Sequence, residues 1–462
     1  MYGRARAIHF IGIGGSGMSG LAEVLLTTGY RVSGSDLKTG EVTDRLVAMG
    51  GRVFHGHHER NVEGADIVVY SSAVKADNPE LRAAIGRGVP VIPRADMLAE
   101  LMRMKYGIAI AGAHGKTTTT SMVGAVLLEG GLDPTIVVGG RVHALKTNAR
   151  LGHGRFLVAE ADESDGSFVR LTPAIGVITN LDQEHMDYYG TMAGLEAAFL
   201  EFAERAPFYG LVVLCADDAG LSRLASRISR RMTTYGLDAG VVRGADLELG
   251  PAGSRFTVTQ AGRALGTIEL PIVGRHNVLN ALAAISVGLE VEIPFSQIAY
   301  ALSKFQGVGR RFETRGEVGD VLVVDDYGHH PTEIRATLQA ARQLGRKRVV
   351  VVFQPHRYSR TRALVKEFGA AFDAADQVLV TDIYPAGEAP IEGVTAELVV
   401  GAARSHGHRN VVYAGDLSRA EALLREMVRP HDLVLTLGAG DVSKLGDRLL
   451  NQMHGHTHGA TR

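Results

Sequence analysis

The sequence predicts an α/β protein of three domains: a Rossmann-like N-terminal domain, a central mononucleotide-binding (P-loop) α/β domain and a Rossmann-like C-terminal domain. Three observations predict it. Short β-branched runs alternate with helical patterns from end to end, as they do in parallel sheets covered by helices. Two glycine-rich turns, Gly12–Gly17 and Gly112–Gly115, each follow a candidate strand and open a candidate helix. A length of 462 residues accommodates roughly three domains of ordinary size.

In the first hundred residues the β-branched and aromatic runs place strands at Ile8–Ile13, Tyr30–Ser33, Arg52–Phe54, Asp66–Tyr70 and Val89–Ile92. Ser16–Thr28 and Asn78–Arg87 supply the intervening helices. A second series opens at Tyr106–Ile110 and continues through Phe156–Ala159, Ala174–Thr179 and Leu211–Leu214 to a hairpin, Phe256–Gln260 with Ala264–Leu270. Thr119–Leu128 and Met192–Phe202 read as helices of this domain. The third series holds Val321–Val324, Arg348–Phe353, Gln377–Thr381, Asn410–Tyr413 and Asp432–Leu437. Joints at Met102–Tyr106 and Gln306–Arg311 divide the chain into residues 1–105, 106–308 and 309–462. The tail Met453–Gly459, rich in histidine, is expected to be a frayed, solvated terminus.

Composition narrows the function classes. Lys plus Arg is 49 and Asp plus Glu is 50, a net charge of -1, which argues against affinity built on a broad basic field for nucleic acid or anionic lipid. The single cysteine, Cys215, excludes an intramolecular disulfide and any multi-cysteine zinc site, and its run Leu211–Leu214 makes it a buried strand thiol. No apolar stretch approaches the roughly 18 residues that cross a bilayer, and no apolar signal region follows Met1. A cytoplasmic location is expected.

The turn Gly12-Ile13-Gly14-Gly15-Ser16-Gly17 has the form G-x-G-x-x-G, and Asp36 ends the next strand 19 residues after Gly17. Glycines let the backbone approach a diphosphate, the helix N-terminus attracts the anion, and Asp36 is placed to accept from a ribose. The motif alone does not distinguish NAD from another nucleotide diphosphate, nor a ligand site from a tight turn.

The second motif, Gly112-Ala113-His114-Gly115-Lys116-Thr117-Thr118, is more specific. Backbone N–H groups in such a loop wrap phosphates, the Lys116 ammonium meets the β and γ oxygens, and the Thr117 hydroxyl can ligate Mg²⁺. The loop departs from the general G-x-x-x-x-G-K-[ST] form, because Ile110 stands at the first glycine. Downstream, one strand runs into Glu160-Ala161-Asp162-Glu163-Ser164-Asp165 and another into Asn180-Leu181-Asp182-Gln183-Glu184-His185-Met186-Asp187. Both acidic stretches leave carboxyl ends of strands, where ligands bind in open α/β sheets, and their oxygens suit a magnesium ion held on a nucleotide. Two phosphate sites suit an enzyme that holds one nucleotide as a handle on its substrate and consumes another for energy. They make a plain dehydrogenase a poor fit.

The segment His9–Gly20 resembles the opening of the Mur ligases, the ATP-dependent amide-bond formers of peptidoglycan synthesis. The short Gly112–Thr118 loop has their form, so the resemblance accommodates Ile110. Asp162–Asp165, Asn180–Asp187, Gly274–Asn280, Asp325–Glu333 and Gln354–Arg360 carry it further, over essentially the whole chain before the tail. The opening and Asp325–Glu333 are similar to the alanine-adding branch in particular, and so is the lack of any lysine between Asn180 and Gly210.

The resemblance implies an ATP-dependent ligase that joins L-alanine to the lactyl carboxylate of UDP-N-acetylmuramate through an acyl phosphate. It implies a UDP-sugar site at Gly14, Gly15, Ser16, Gly17, Asp36, Ser71, Ser72 and Arg94. It places ATP on Gly112–Thr118, with Asn277, Asn280, Asp326 and Tyr327 at its adenine and ribose. Mg²⁺ would be held by Thr117, Glu160 and His185. Arg357 and Arg360 would take the amino-acid carboxylate, a bidentate fork suited to that anion. Lys116, Arg311 and His329 would act at the reaction centre, with His330 as the other candidate base. For Asn277 and Asn280, local helix capping is the competing reading.

Overall fold

The protein is described by a computed structural model covering residues 6–71, 73–142 and 147–459, with the backbone alone at residues 16, 139–142, 147–148 and 455–459. Its strands form three sheets. The first contains β1 (Ala7–Ile11), β2 (Arg31–Asp36), β3 (Arg52–His55), β4 (Ile67–Tyr70) and β5 (Val91–Pro93) in the order β3-β2-β1-β4-β5. All neighbours are parallel. Strand order reverses between β1 and β4, so the turn after β1 and Ser71 after β4 share one carboxyl edge. That switch point is where such sheets bind ligands.

The second sheet has β6 (Tyr106–Ala111), β7 (Thr135–Val142), β8 (Thr147–Arg150), β9 (Phe156–Glu160), β10 (Ile175–Ile178), β11 (Leu211–Cys215), β12 (Met232–Gly236), β13 (Val242–Gly250), β14 (Gly253–Gln260) and β15 (Arg263–Leu270). The order is β15-β14-β13-β12-β11-β10-β6-β9-β7-β8. β6 lies between β9 and β10, parallel to both, in registers that pair Ile110 with Glu160 and Ala111 with Ile178. Three carboxyl ends therefore stand level. The third sheet orders β16 (Glu313–Val318), β17 (Val321–Asp326), β18 (Arg348–Phe353), β19 (Gln377–Thr381), β20 (Val411–Gly415) and β21 (Asp432–Leu437) as β16-β17-β21-β18-β19-β20. Only β16 pairs antiparallel there.

The packing explains the apolar runs. In β18, Val349, Val351 and Phe353 enter one core with Phe368 and Phe372, while Val350 and Val352 enter the opposite core with Leu445 and Leu449. A strand covered on both faces has no position left for a polar residue. The chain forms two compact units. One comprises Met1–Leu247, Arg255–Glu269 and Val278–Gln306; the other comprises Gly307–Arg462 with Glu248–Ser254 and Leu270–Asn277.

Strands β7, β8, β12, β13 and β16 have no counterpart in the sequence reading. β16 shows why, since four of its six residues are polar or charged and only Val318 is buried. The tail corrects an expectation outright: a helix runs Ser443–Gly459 where a frayed terminus was expected. Leu445, Leu449, Leu450 and Met453 pack it onto the third sheet, and the helix continues past that anchor. Among the described residues no helix is long and apolar enough to cross a membrane.

Candidate active site

The phosphate loop leaves β6 and ends at Gly115, the left-handed N-cap of the helix Lys116–Glu129. Gly112 has φ +126, and a Cβ on it would collide with the Thr179 hydroxyl; a Cβ on Gly115, at φ +80, would lie 2.5 Å from Asn280 Oδ1. Only glycine meets both demands. The loop is fastened to the end of β10. The Ala113 and His114 amides donate to the Asn180 carbonyl and side chain at 3.3 and 2.8 Å, and the Thr179 hydroxyl donates to the His114 carbonyl at 2.6 Å. His114 Nε2 reaches Asp182 at 2.8 Å. Asn280 Oδ1 accepts from Thr119 at 3.2 Å, so its side chain braces the loop helix.

Lys116 Nζ donates to the carbonyls of Gly112 and Ala113 at 2.7 and 3.0 Å and lies 3.0 and 2.9 Å from the two oxygens of Glu163. Burial works against its ammonium, but Glu163, Asp162 and Glu160 outweigh it and push its pKa up. Burial raises the Glu163 carboxyl to about 7 against the pull of Lys116. His185, at φ +55, brings Nε2 to 3.6 Å from Glu163 and 3.8 Å from Glu184. Glu160 and Glu163 both act on the Lys116 ammonium and His185 approaches Glu163, so these side chains gather at the carboxyl edge of β6, β9 and β10, with Thr117 next to Lys116 in the chain. A hydroxyl, a carboxylate and an imidazole form a donor set that suits a divalent cation.

In the first sheet the Gly14 amide donates to Asp36 Oδ2 at 2.8 Å, and Lys38 N to Oδ1 at 3.1 Å. Asp36 therefore shapes the glycine turn itself. Gly15 caps the helix Ser16–Thr27, its carbonyl accepting from the Met18 and Ser19 amides at 3.0 and 2.8 Å. The Arg94 guanidinium lies on that helix start, 2.9 Å from where a Cβ on Gly17 would sit, and its Nη2 is 3.6 Å from Asp162. Ser71 sits beside Gly12, its Cβ 3.7 Å from where a Cβ on Gly12 would lie. Ser72 lies outside the described residues, as does the Ser16 side chain.

In the second unit, Arg311 stacks over Tyr327, Cζ 5.1 Å from the ring centroid, and pairs with Glu333 at 3.5 Å. Asp326 is buried and accepts from the amides of Phe312 and Gly328 at 2.7 Å and from Thr337 at 3.2 Å. Its burial raises its pKa to about 6. His330 caps the helix Pro331–Gln343, its Nδ1 accepting from Thr332 N at 3.3 Å, so the ring proton sits on Nε2. His329 is the reverse: Nδ1 faces the Tyr327 carbonyl at 3.1 Å, which leaves Nε2 basic in the neutral ring. Asn277 Nδ2 donates to the Val273 carbonyl at 2.7 Å, a bond local to its own helix start. Arg357 adopts φ +70, and its buried Nε has no hydrogen-bond partner among the described residues. Arg360 Nη1 approaches His356 Nδ1 at 3.2 Å.

Three family models match in succession: the Mur ligase family, catalytic domain, over residues 7–106; the Mur ligase middle domain over 110–288; and the Mur ligase, glutamate ligase domain, over 310–440. The chain belongs to the Mur ligase family. A UDP-N-acetylmuramate–L-alanine ligase of Geobacter sp. (strain M21) is 55% identical over 452 residues, 97% of this chain and 98% of that protein. One of Geotalea uraniireducens (strain Rf4) is 54% identical, covering 98% of this chain and 100% of the relative. Among solved structures, the UDP-N-acetylmuramate-alanine ligase MurC of Thermotoga maritima matches with a TM-score of 0.82 at 30% identity, over 97% of this chain and 99% of that one.

Within this Mur ligase the sequence reading missed the partners that hold the predicted residues. Glu163 was visible only as one carboxylate in a cluster, with no signal that it, and not Asp162 or Asp165, would reach Lys116. Thr179 and Asn180 close the phosphate loop from 65 or more residues away. Glu333 ends the segment Asp325–Glu333 with no role that its spacing announces, and its carboxylate accepts from the amides of both His329 and His330. The lone thiol behaves as expected, since Cys215 is buried and its burial raises its pKa to about 11.

Proposed function

We propose that this Mur ligase joins L-alanine to the lactyl carboxylate of UDP-N-acetylmuramate at the expense of ATP. The observation that carries it is the half-buried Lys116 at a left-handed glycine turn, beside Glu160 and Glu163 with His185 on Glu163, in a chain 55% identical over nearly its full length to an alanine-adding relative. The domain limits are those of residues 1–105, 106–308 and 309–462. Substrates carried on nucleotides place the reaction in the cytoplasm.

The chemistry must bring two anions together. The lactyl carboxylate attacks the γ-phosphorus, the bond to the β,γ-bridging oxygen breaks, and ADP leaves. The Lys116 ammonium and the N-terminus of the helix Lys116–Glu129 stabilise the charge that builds up on the transferring group. Arg311 contributes a second side-chain charge, borne on its guanidinium. Thr117, Glu160 and His185 would hold Mg²⁺, which when bound supplies further neutralisation of the triphosphate. The amine of alanine then attacks the acyl carbon, phosphate departs, and the amine proton passes to a base. His329 fills that role better than His330, because its Nε2 is the basic nitrogen whereas the His330 Nδ1 lone pair is spent on Thr332. Arg357 and Arg360 receive the amino-acid carboxylate, and the enclosed Arg357 Nε supports this placement. Gly14–Gly17, Asp36, Ser71, Ser72 and Arg94 hold the UDP-sugar, with Asp36 acting first on the Gly14 amide. Asn280, Asp326 and Tyr327 line the ATP base and ribose, with Asn277 beside them.

A coupled phosphate-release assay tests this reading. Release is expected only with Mg²⁺, UDP-N-acetylmuramate and an amino acid together, and fastest with alanine among alanine, glycine, serine and a tripeptide. Phosphate released without the sugar nucleotide would overturn the scheme, and preference for the tripeptide would move the chain to a peptide-adding branch.

A further inference from the structure

An ammonium has three N–H donors, and those of Lys116 all meet acceptors of the protein: the carbonyls of Gly112 and Ala113 and the carboxylate of Glu163. The carbonyls belong to the loop and cannot leave without unfolding it. Glu163 can leave, because its grip on Lys116 is a side-chain grip. Its own backbone is pinned separately, the carbonyl accepting from Tyr189 Oη at 2.5 Å and from Gly166 N at 3.0 Å. The Glu163 side chain is 2% exposed and Lys116 17%, so water screens this pair little.

We infer that Glu163 is a built-in anion occupying the phosphate-facing side of Lys116, which a nucleotide must displace and which returns to drive ADP off. The inference rests on the assignment of Lys116 to nucleotide phosphates. Displacement is an anion exchange. A triphosphate brings β and γ oxygens to the ammonium, whereas a diphosphate brings only the β group against a carboxylate with both oxygens within 3.0 Å. The cost of removing the carboxylate is the same for either nucleotide, so Glu163 lowers the affinity for both and leaves ADP, with fewer oxygens to meet the ammonium, the more weakly held of the two. His185 Nε2 also stands 3.6 Å from Glu163 Oε1, a second partner within reach of the displaced carboxylate. Glu163 is thus a positioning residue that acts through Lys116.

The test is calorimetric binding of ADP and of a non-hydrolysable ATP analogue to the full chain, at a pH well above 7 so that the Glu163 carboxyl is ionised, and in chelator, where no divalent ion contributes. Glu163→Gln keeps the shape and removes the charge. Its affinities for ADP and for the analogue should both rise on the order of tenfold, the effect of losing one charge-assisted competitor. Glu163→Asp, which keeps the charge on a shorter arm, should fall between the parent chain and the glutamine variant and serves if the latter fails to fold. In turnover, the glutamine variant should show stronger ADP inhibition with an unchanged KM for alanine. Unchanged or weaker ADP binding by the folded variants overturns the inference. Lys116→Ala separates this from failure of the underlying assignment: if it binds ADP like the parent chain, Lys116 is no phosphate ligand at all.

Discussion

On the proposed function, side chains in this Mur ligase divide into those that face substrate and those that hold other residues in place. Lys116 would be of the first kind, half-buried beside Glu160, Asp162 and Glu163. Lys116→Ala should lower ATP turnover by about a hundredfold or more, the scale of removing one stabilising charge from the transition state, while UDP-N-acetylmuramate still binds. Near-normal turnover in that variant would remove the phosphate-loop assignment. Arg357 and Arg360 are expected to act on the amino acid alone. Arg357→Ala or Arg360→Ala should raise the KM for alanine by roughly ten- to a hundredfold, from loss of a charge-assisted contact worth about 1.5–3 kcal/mol, with the KM for ATP held. A fall in ATP affinity instead would show that the pair serves the nucleotide. Asp36, Asp326 and His330 are mainly of the second kind: each spends its polar atoms on neighbouring backbone amides.

At the scale of elements, the recurring unit is a strand, a turn at its carboxyl end and a helix whose N-terminus faces the site. The turn after β6 depends on Gly112, where φ is +126 and a side chain would meet Thr179. Gly112→Ala should destabilise the protein by about 1–3 kcal/mol and weaken ADP binding, as read by chemical denaturation and calorimetry. If stability falls but ADP affinity does not, the turn is a fold element without a phosphate role. Such turns were legible in the sequence because glycine there answers a backbone demand. The stability of the loop was not, because its clasps at Thr179, Asn180 and Asn280 come from other elements. The helix Ser443–Gly459 illustrates the opposite case, in which packing through Leu445 and Leu449 extends an element past a segment with no apolar pattern.

At the scale of the whole molecule, the buried carboxylate of Glu80 ties the first sheet together. It accepts from Ser35 on β2 at 2.5 Å and lies 3.6 Å from His9 on β1, with Asn61 also donating to it. Burial opposes its ionisation, but the bonds from His9, Ser35 and Asn61 hold the carboxyl at about 2, below its ordinary 4.5. A carboxyl depressed by folding stabilises the fold at every pH above about 4.5, and that contribution disappears as pH falls from there through about 2. The shift corresponds to on the order of 3 kcal/mol. Equilibrium denaturation from pH 6 down to pH 2 should show this loss, and Glu80→Gln should flatten that part of the profile while lowering stability near neutral pH. An unaltered profile in the variant would assign the acid sensitivity to other groups.

Most of the core strands and helices in their order, the two glycine turns and the acidic strand ends were decided by the sequence itself, because each answers a local rule: periodicity, a left-handed backbone, a helix start. The same holds for the three-domain α/β class. Partnership was decided only by tertiary structure. Which of four acidic side chains in residues 160–165 would reach Lys116 depended on the register of β9 beside β6, and which of His329 and His330 would keep a basic Nε2 depended on the cap each ring met. Edge strands such as β16 also waited for the fold, since an exposed strand carries no apolar pattern and exists through the neighbour whose backbone it pairs with. Local preferences are written along the chain; distances between residues far apart in it arise only when the sheets assemble.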